Sequence, residues 1–149
     1  MKKLVIFMFS FPLVALSQPQ IQWGKNYGGQ NSDEGTKILQ TEEGGFILSG
    51  RTYSNNGNVS GNHGAADFWI VKLSAQGVFE WQRSFGGSGN ERCNNIALTS
   101  DSGYILAGQT SSNNGQVSGN NGDIDCWIVK LDKDGMMQWQ ECYGRGFVA

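Results

Sequence analysis

Trp23, Trp81 and Trp139 stand 58 residues apart, and Gly28, Gly86 and Gly144 keep the same interval, as do Trp69 and Trp127. Laying residues 23–80 over 81–138 needs no gap and gives 26 identities in 58 positions. Chance at ordinary composition would give about three or four. Such repetition overrides local propensity as a guide to fold, because each unit must satisfy the same packing twice. The best-matched stretches are Ser54-Asn55-Asn56-Gly57 with Ser112-Asn113-Asn114-Gly115, and Trp69–Leu73 with Trp127–Leu131.

Each unit holds four short apolar runs. In the second they are Asn95–Thr99, Tyr104–Gln109, Cys126–Leu131 and Met136–Tyr143. Asp101-Ser102-Gly103 and Asp132-Lys133-Asp134-Gly135 separate neighbouring runs as tight hairpins, and Ser111–Asp123 is a longer Asn/Gly/Ser loop. Past the N-terminal segment no window sustains apolar residues at i, i+3, i+4 and i+7. Trp127-Ile128-Val129 does not alternate, which fits a strand buried on both faces. Four antiparallel strands per unit predict an all-β fold of β-propeller-like blades, about two of them, each needing a neighbour to cover its faces.

Composition narrows the functional classes. The 149 residues carry a net charge of −2, which excludes the basic footprint of a nucleic-acid binder. Charged residues are only 16%, while 38% are hydrophobic and 22 are glycine, a balance that suits short strands and tight turns rather than disorder.

Residues 1–17 read as a signal peptide. Met1-Lys2-Lys3 is basic, Leu4–Leu16 is apolar, and Ala15-Leu16-Ser17 supplies small residues for cleavage. The run is shorter than the ~20 residues of a membrane span, and Pro12 interrupts it. The product is then secreted or held at the cell surface, with no membrane span in the mature chain and residues 18–149 forming a partial propeller. Ile21–Gly29 matches the fourth strand of a unit, Val78–Gly87, and starting on a last strand suits closure of a ring. The third unit breaks off after Gly144, which points to a truncated longer protein with further blades. Self-association of several copies into one ring is the other route.

The combined pattern (Trp23…Tyr27-Gly28-Gly29, Ile38…Thr41, Gly45-Phe46-Ile47-Leu48-Ser49-Gly50, Ser54-Asn55-Asn56-Gly57…Val59-Ser60-Gly61-Asn62, Asp67…Trp69-Ile70-Val71-Lys72-Leu73) resembles the repeats of large secreted β-propeller proteins of Bacteroidetes-type bacteria. The resemblance covers residues 21–144. It implies export, often with a type IX secretion sorting domain that is absent from this sequence, and it carries over no catalytic residues. Lys-Leu-x-x-x-Gly-x-x-x-Trp resembles, more distantly, the blades of quinoprotein-like propellers.

Catalysis needs one asymmetric constellation, whereas Asp67/Asp125, Asp33/Glu91 and Glu43/Asp101 recur at the period and read as turn and strand-end acceptors. His63 is the only histidine and matches Asn121, which leaves little for a Ser-His-Asp or His-based metal site. The loops Asn55–Asp67 and Asn113–Asp125 are rich in oxygen-bearing side chains. Their Asn55, Asn56, Asn58, Asn62, Asn113, Asn114 and Asn120 are the candidate binding residues, and Asp67 and Asp125 are weak calcium candidates because few negative charges surround them. No other cofactor is expected. Cys93, Cys126 and Cys142 are confined to the second unit and its continuation. A Cys126–Cys142 disulfide is conceivable on adjacent strands, with free thiols the preferred reading. The recurring Trp residues read as packing between blades.

The sequence thus leads to an exported, non-catalytic binding or scaffold module for a glycan or another surface protein. The alternatives are a non-catalytic part of a secreted polysaccharide-degrading enzyme and, last, a quinoprotein-type oxidoreductase.

Overall fold

The computed structural model describes residues 20–144; the export signal read at 1–17 and the chain beyond Gly144 lie outside them. Eight strands follow one another: β1 (Asp33–Gln40), β2 (Phe46–Thr52), β3 (Asp67–Leu73), β4 (Phe79–Phe85), β5 (Glu91–Leu98), β6 (Tyr104–Thr110), β7 (Asp125–Leu131) and β8 (Met137–Tyr143). They form two open four-stranded antiparallel sheets in the orders β1-β2-β3-β4 and β5-β6-β7-β8. Among the described residues there is no helix, and so none long and apolar enough to cross a membrane.

The pairings of the second sheet are those of the first displaced by 58 residues. Asp33 faces Thr52 as Glu91 faces Thr110, and Gly50 faces Trp69 as Gly108 faces Trp127. Bulges recur too, at Gly35/Lys37 and Cys93/Asn95. The hairpin turns rest on left-handed backbone. Gly77 (φ 67°) and Gly135 (φ 77°) supply it without a Cβ penalty, while Ser102 (φ 61°) is the one described non-glycine with positive φ.

All seven residues of β3 are buried, as its unalternating Phe68–Leu73 run requires. Its two sides serve different clusters. Phe68 and Ile70, with Ile47 of β2, pack on Cys93, Ile96, Leu106, Trp127 and Val129 of the second sheet. Trp69 and Val71 point the other way, where Trp23, Tyr27 and Leu48 pack with them. The apolar junction between the sheets centres on Phe68 and Trp127, whose ring centroids are 4.6 Å apart. The Phe68 ring fits because Gly108 lies beneath it; a Cβ there would stand 2.7 Å from Phe68 Cζ. At the margin, Thr36 Oγ1 donates to the Cys93 carbonyl (2.7 Å), and Arg92 Nη2 pairs with Glu34 Oε1 (2.9 Å).

Two sequence expectations shift. β5 starts at Glu91, not Asn95, because the Glu91 side chain is buried and hydrogen-bonded rather than solvated. Residues 21–29, expected to be a strand, form none, since no neighbouring backbone ladders with them. They nevertheless lie over the first sheet as β4 lies over the second. Trp23 covers Gly77 and Trp81 covers Gly135, with Cβ-to-ring distances of 2.8 and 2.7 Å had those glycines been alanine. The Tyr27 hydroxyl donates to the Gly77 carbonyl at 2.5 Å.

Candidate functional site

The long β2–β3 and β6–β7 loops share one rim with Gly28–Ser32 and the β4–β5 link. Four carboxylates organise this rim. Asp33 Oδ2 accepts the Gly29 N–H (2.7 Å) and the Ser54 hydroxyl (3.0 Å), and its Oδ1 accepts from Thr52. Glu91, one methylene longer, does the same in the second sheet, taking the Gly87 N–H (2.9 Å) and the Thr110 hydroxyl (2.7 Å). Asp67 Oδ2 accepts the His63 N–H at 3.0 Å and lies 2.6 Å from His63 Nδ1; Asp125 Oδ2 accepts the Asn121 N–H at 2.8 Å.

Asp67 is fully buried and its Oδ1 has no hydrogen-bond partner. Burial raises its pKa, the His63 hydrogen bonds and charge pull it down, and the nearby Glu91 charge raises it further. Asp67 Oδ1 and Glu91 Oε2 converge on Gly86: a Cβ on that residue would meet each at 2.5 Å. The absent side chain is what lets two buried acids from different sheets approach. Among the described residues no three His, Cys, Asp or Glu side chains converge as a metal-ligand set. Asp67 and Asp125 open β3 and β7 in separate sheets.

The candidate asparagines brace their own loops. Asn55 Oδ1 and Asn113 Oδ1 accept the Gly61 and Gly119 N–H groups (3.0 and 3.1 Å). Asn56 Oδ1 and Asn114 Oδ1 accept from Gln30 and Ser88 (2.8 and 2.9 Å), tying each loop to the strand link beside it. Asn58 Oδ1 accepts from Gly28 N at 3.4 Å. Asn62 and Asn120 cap Gly64 and Gly122 and reach back to the Thr52 and Thr110 carbonyls. Asn55, Asn56 and Asn58 keep exposed surface, whereas Asn120 is buried.

Two shallow clefts open beside these loops. One, about 620 Å³, is walled by Gly57–Ser60 and by Trp81, Gln82 and Arg83; the Arg83 guanidinium lies 5.5 Å over the Trp81 ring. The other, about 600 Å³, is walled by Tyr27, Gly29, Asn31, Asp33 and Asn58. The sequence reading missed the Arg83 and Gln82 side of the first cleft, because neither residue carries a motif; only proximity to the β2–β3 loop marks them.

The opposite rim explains the lysine inside each Trp-Ile-Val-Lys-Leu run. Lys72 and Lys130 are buried along their stems, and their ammoniums emerge at the hairpin end to meet Glu80 (3.1 Å) and Asp101 (2.8 Å). The three cysteines are free. Cys126 faces Tyr143 and Cys142 faces Trp127 in the β7–β8 register, so the two thiols lie on opposite faces of their sheet.

No protein-family model and no curated protein sequence matches this chain.

Proposed function

We propose that the chain is an exported, non-catalytic module of β-propeller blades that binds a glycan or another surface protein at its loop rim. One observation carries the reading: two sheets with the same register, 58 residues apart, stack face to face and turn the same pair of long loops to one rim. Repetition of that kind offers a surface of repeated groups rather than a single reacting centre. The rim acids support it, because Asp33 and Glu91 direct their oxygens to the chain's own N–H and O–H groups. The cleft beside Trp81 and Arg83 joins an aromatic ring to hydrogen-bonding groups, the combination that recognises sugars and polar peptide segments. Purified chain on a glycan array, with parallel reducing-end assays on glucans, tests the reading. Retention of a glycan without release of reducing ends is expected; turnover would overturn it.

A further inference from the structure

Among the described residues, the junction between the two sheets has a counterpart at each end of the stack that no further sheet covers, the one on the first sheet carrying only Trp23–Tyr27. On the second sheet, Ile105, Cys126 and Ile128 stand at the register places of Ile47, Phe68 and Ile70, which the junction buries completely. Cys126 is exposed, Ile124 is 61% exposed where Ala66 is 0%, and Tyr143 is 62% exposed where Phe85 is 3%. At the other end, the free side of the first sheet carries a groove of about 570 Å³ walled by Tyr27, Gly35, Leu48, Trp69 and Val71. Gly35, Leu48, Trp69 and Val71 stand 58 positions before Cys93, Leu106, Trp127 and Val129, the residues on which Phe68 and Ile70 pack inside the junction.

From this we infer that the outer face of the second sheet docks on the free face of the first sheet in a second copy of this chain, head to tail, repeating the junction each copy already contains. Charge agrees with the register. Inside the chain Glu34 meets Arg92; in the new junction Arg92 takes the place of Glu34, and Glu34 of the second copy takes that of Arg92, so an opposite-charge pair forms again with its signs exchanged. The same register puts β8 where Trp23–Tyr27 of the second copy lies. β8 holds that place, because it pairs with β7 along Cys126–Leu131, whereas Trp23–Tyr27 belongs to no sheet and swings away. Such an interface joins two different patches, so it continues until it closes or extends into a filament. A closed ring of four to eight sheets would take roughly two to four copies. The inference needs the sheet packing already present and the release of Trp23–Tyr27 from the first sheet, and not the ligand of the proposed function.

Complementing variants test it. Ile124→Glu blocks the outer face, and Ile38→Glu blocks the free face: Ile38 is 51% exposed, while its counterpart Ile96 is 3% exposed inside the junction. Light scattering on the wild-type chain over a concentration series is expected to give masses at least double the monomer. Each variant alone is expected to stay monomeric with an unchanged far-ultraviolet circular dichroism spectrum, and their equimolar mixture to form a dimer, since each brings one intact face. If Ile124→Glu alters the spectrum, Tyr143→Lys replaces it at the same face. A wild-type chain that stays monomeric throughout, a single variant that still assembles, or a mixture that stays monomeric overturns the inference, and none of these outcomes bears on glycan binding.

Discussion

Phe68 and Trp127 meet across the two sheets with ring centroids 4.6 Å apart, each fully buried, although they lie on different strands of different sheets. Sequence alignment pairs Trp127 with Trp69 and Phe68 with Cys126, so this contact joins the two sides of the 58-residue pattern. Truncating Phe68 to alanine empties the centre of the junction and is expected to cost about 3–5 kcal/mol. At the matching place on the other sheet, Cys126→Ala in the isolated monomer should change stability by less than about 0.5 kcal/mol. Urea denaturation of the two variants measures the contrast; equal losses would mean that the junction is not where the core lies.

Gly86 is fixed by what surrounds it rather than by its own backbone angles. An alanine there drives its methyl against Asp67 Oδ1 and Glu91 Oε2, each at 2.5 Å, and should destabilise the chain by about 1–3 kcal/mol. Gly35→Ala meets nothing within 4 Å and should stay within about 0.5 kcal/mol of wild type. Thermal melts of both variants decide between crowding and a general intolerance of side chains at glycine sites.

The raised pKa of Asp67 sets the sign of one pH dependence. Desolvation lifts it above the ordinary 3.8, so the folded chain holds this proton more tightly than the unfolded one. Stability from this group is therefore present below pH 3.8 and lost as pH rises through the folded-state value. Asp67→Asn should remove that decline, so that the difference between variant and wild type shifts in favour of the variant as pH rises from about 4. Denaturation series at several pH values check the slope. An unchanged slope would show that another group titrates in this window.

Thiol chemistry should separate the cysteines by burial. Desolvation pushes Cys93 up to about 12 and Cys142 up to about 11, leaving almost no thiolate near neutral pH, while Cys126 is exposed. Iodoacetamide at pH 8 is expected to modify Cys126 first in dilute folded protein, and Cys93 only on unfolding. Mass spectrometry of tryptic peptides identifies the order.

Much of this architecture is legible in the residues, and the gaps have physical causes. The unalternating Trp-Ile-Val-Lys-Leu run announces a strand covered on both sides. Every residue of β3 is buried, whereas in β7, the strand of Trp127-Ile128-Val129, Cys126 is exposed and Ile128 half-buried because no described sheet lies over that face. The hairpin turns fall where expected, at Asp101–Gly103 and Asp132–Gly135, with the left-handed residue at Ser102 in the first and Gly135 in the second. β5 is legible only in its second half, because Glu91, Arg92 and Asn94 look solvated. Glu91 is instead enclosed by Thr110 and Gly87, partners brought together only by folding. Hydropathy cannot reveal an acid whose burial depends on hydrogen bonds from residues elsewhere in the chain. At the rim, the asparagines are visible as turn formers, but their links to Gln30 and Ser88 depend on how the strand links stack.

The sheets share no strand, and the chain passes between them once, along Gly86–Asn90. Tension applied to the two ends therefore loads them in series through that short tether. Once the Phe68–Trp127 contact tears, each sheet resists alone, and because both hold nearly the same length of chain, an extending molecule lengthens in two steps of similar size. Under mechanical load this protein would behave as two links of a chain and not as one block.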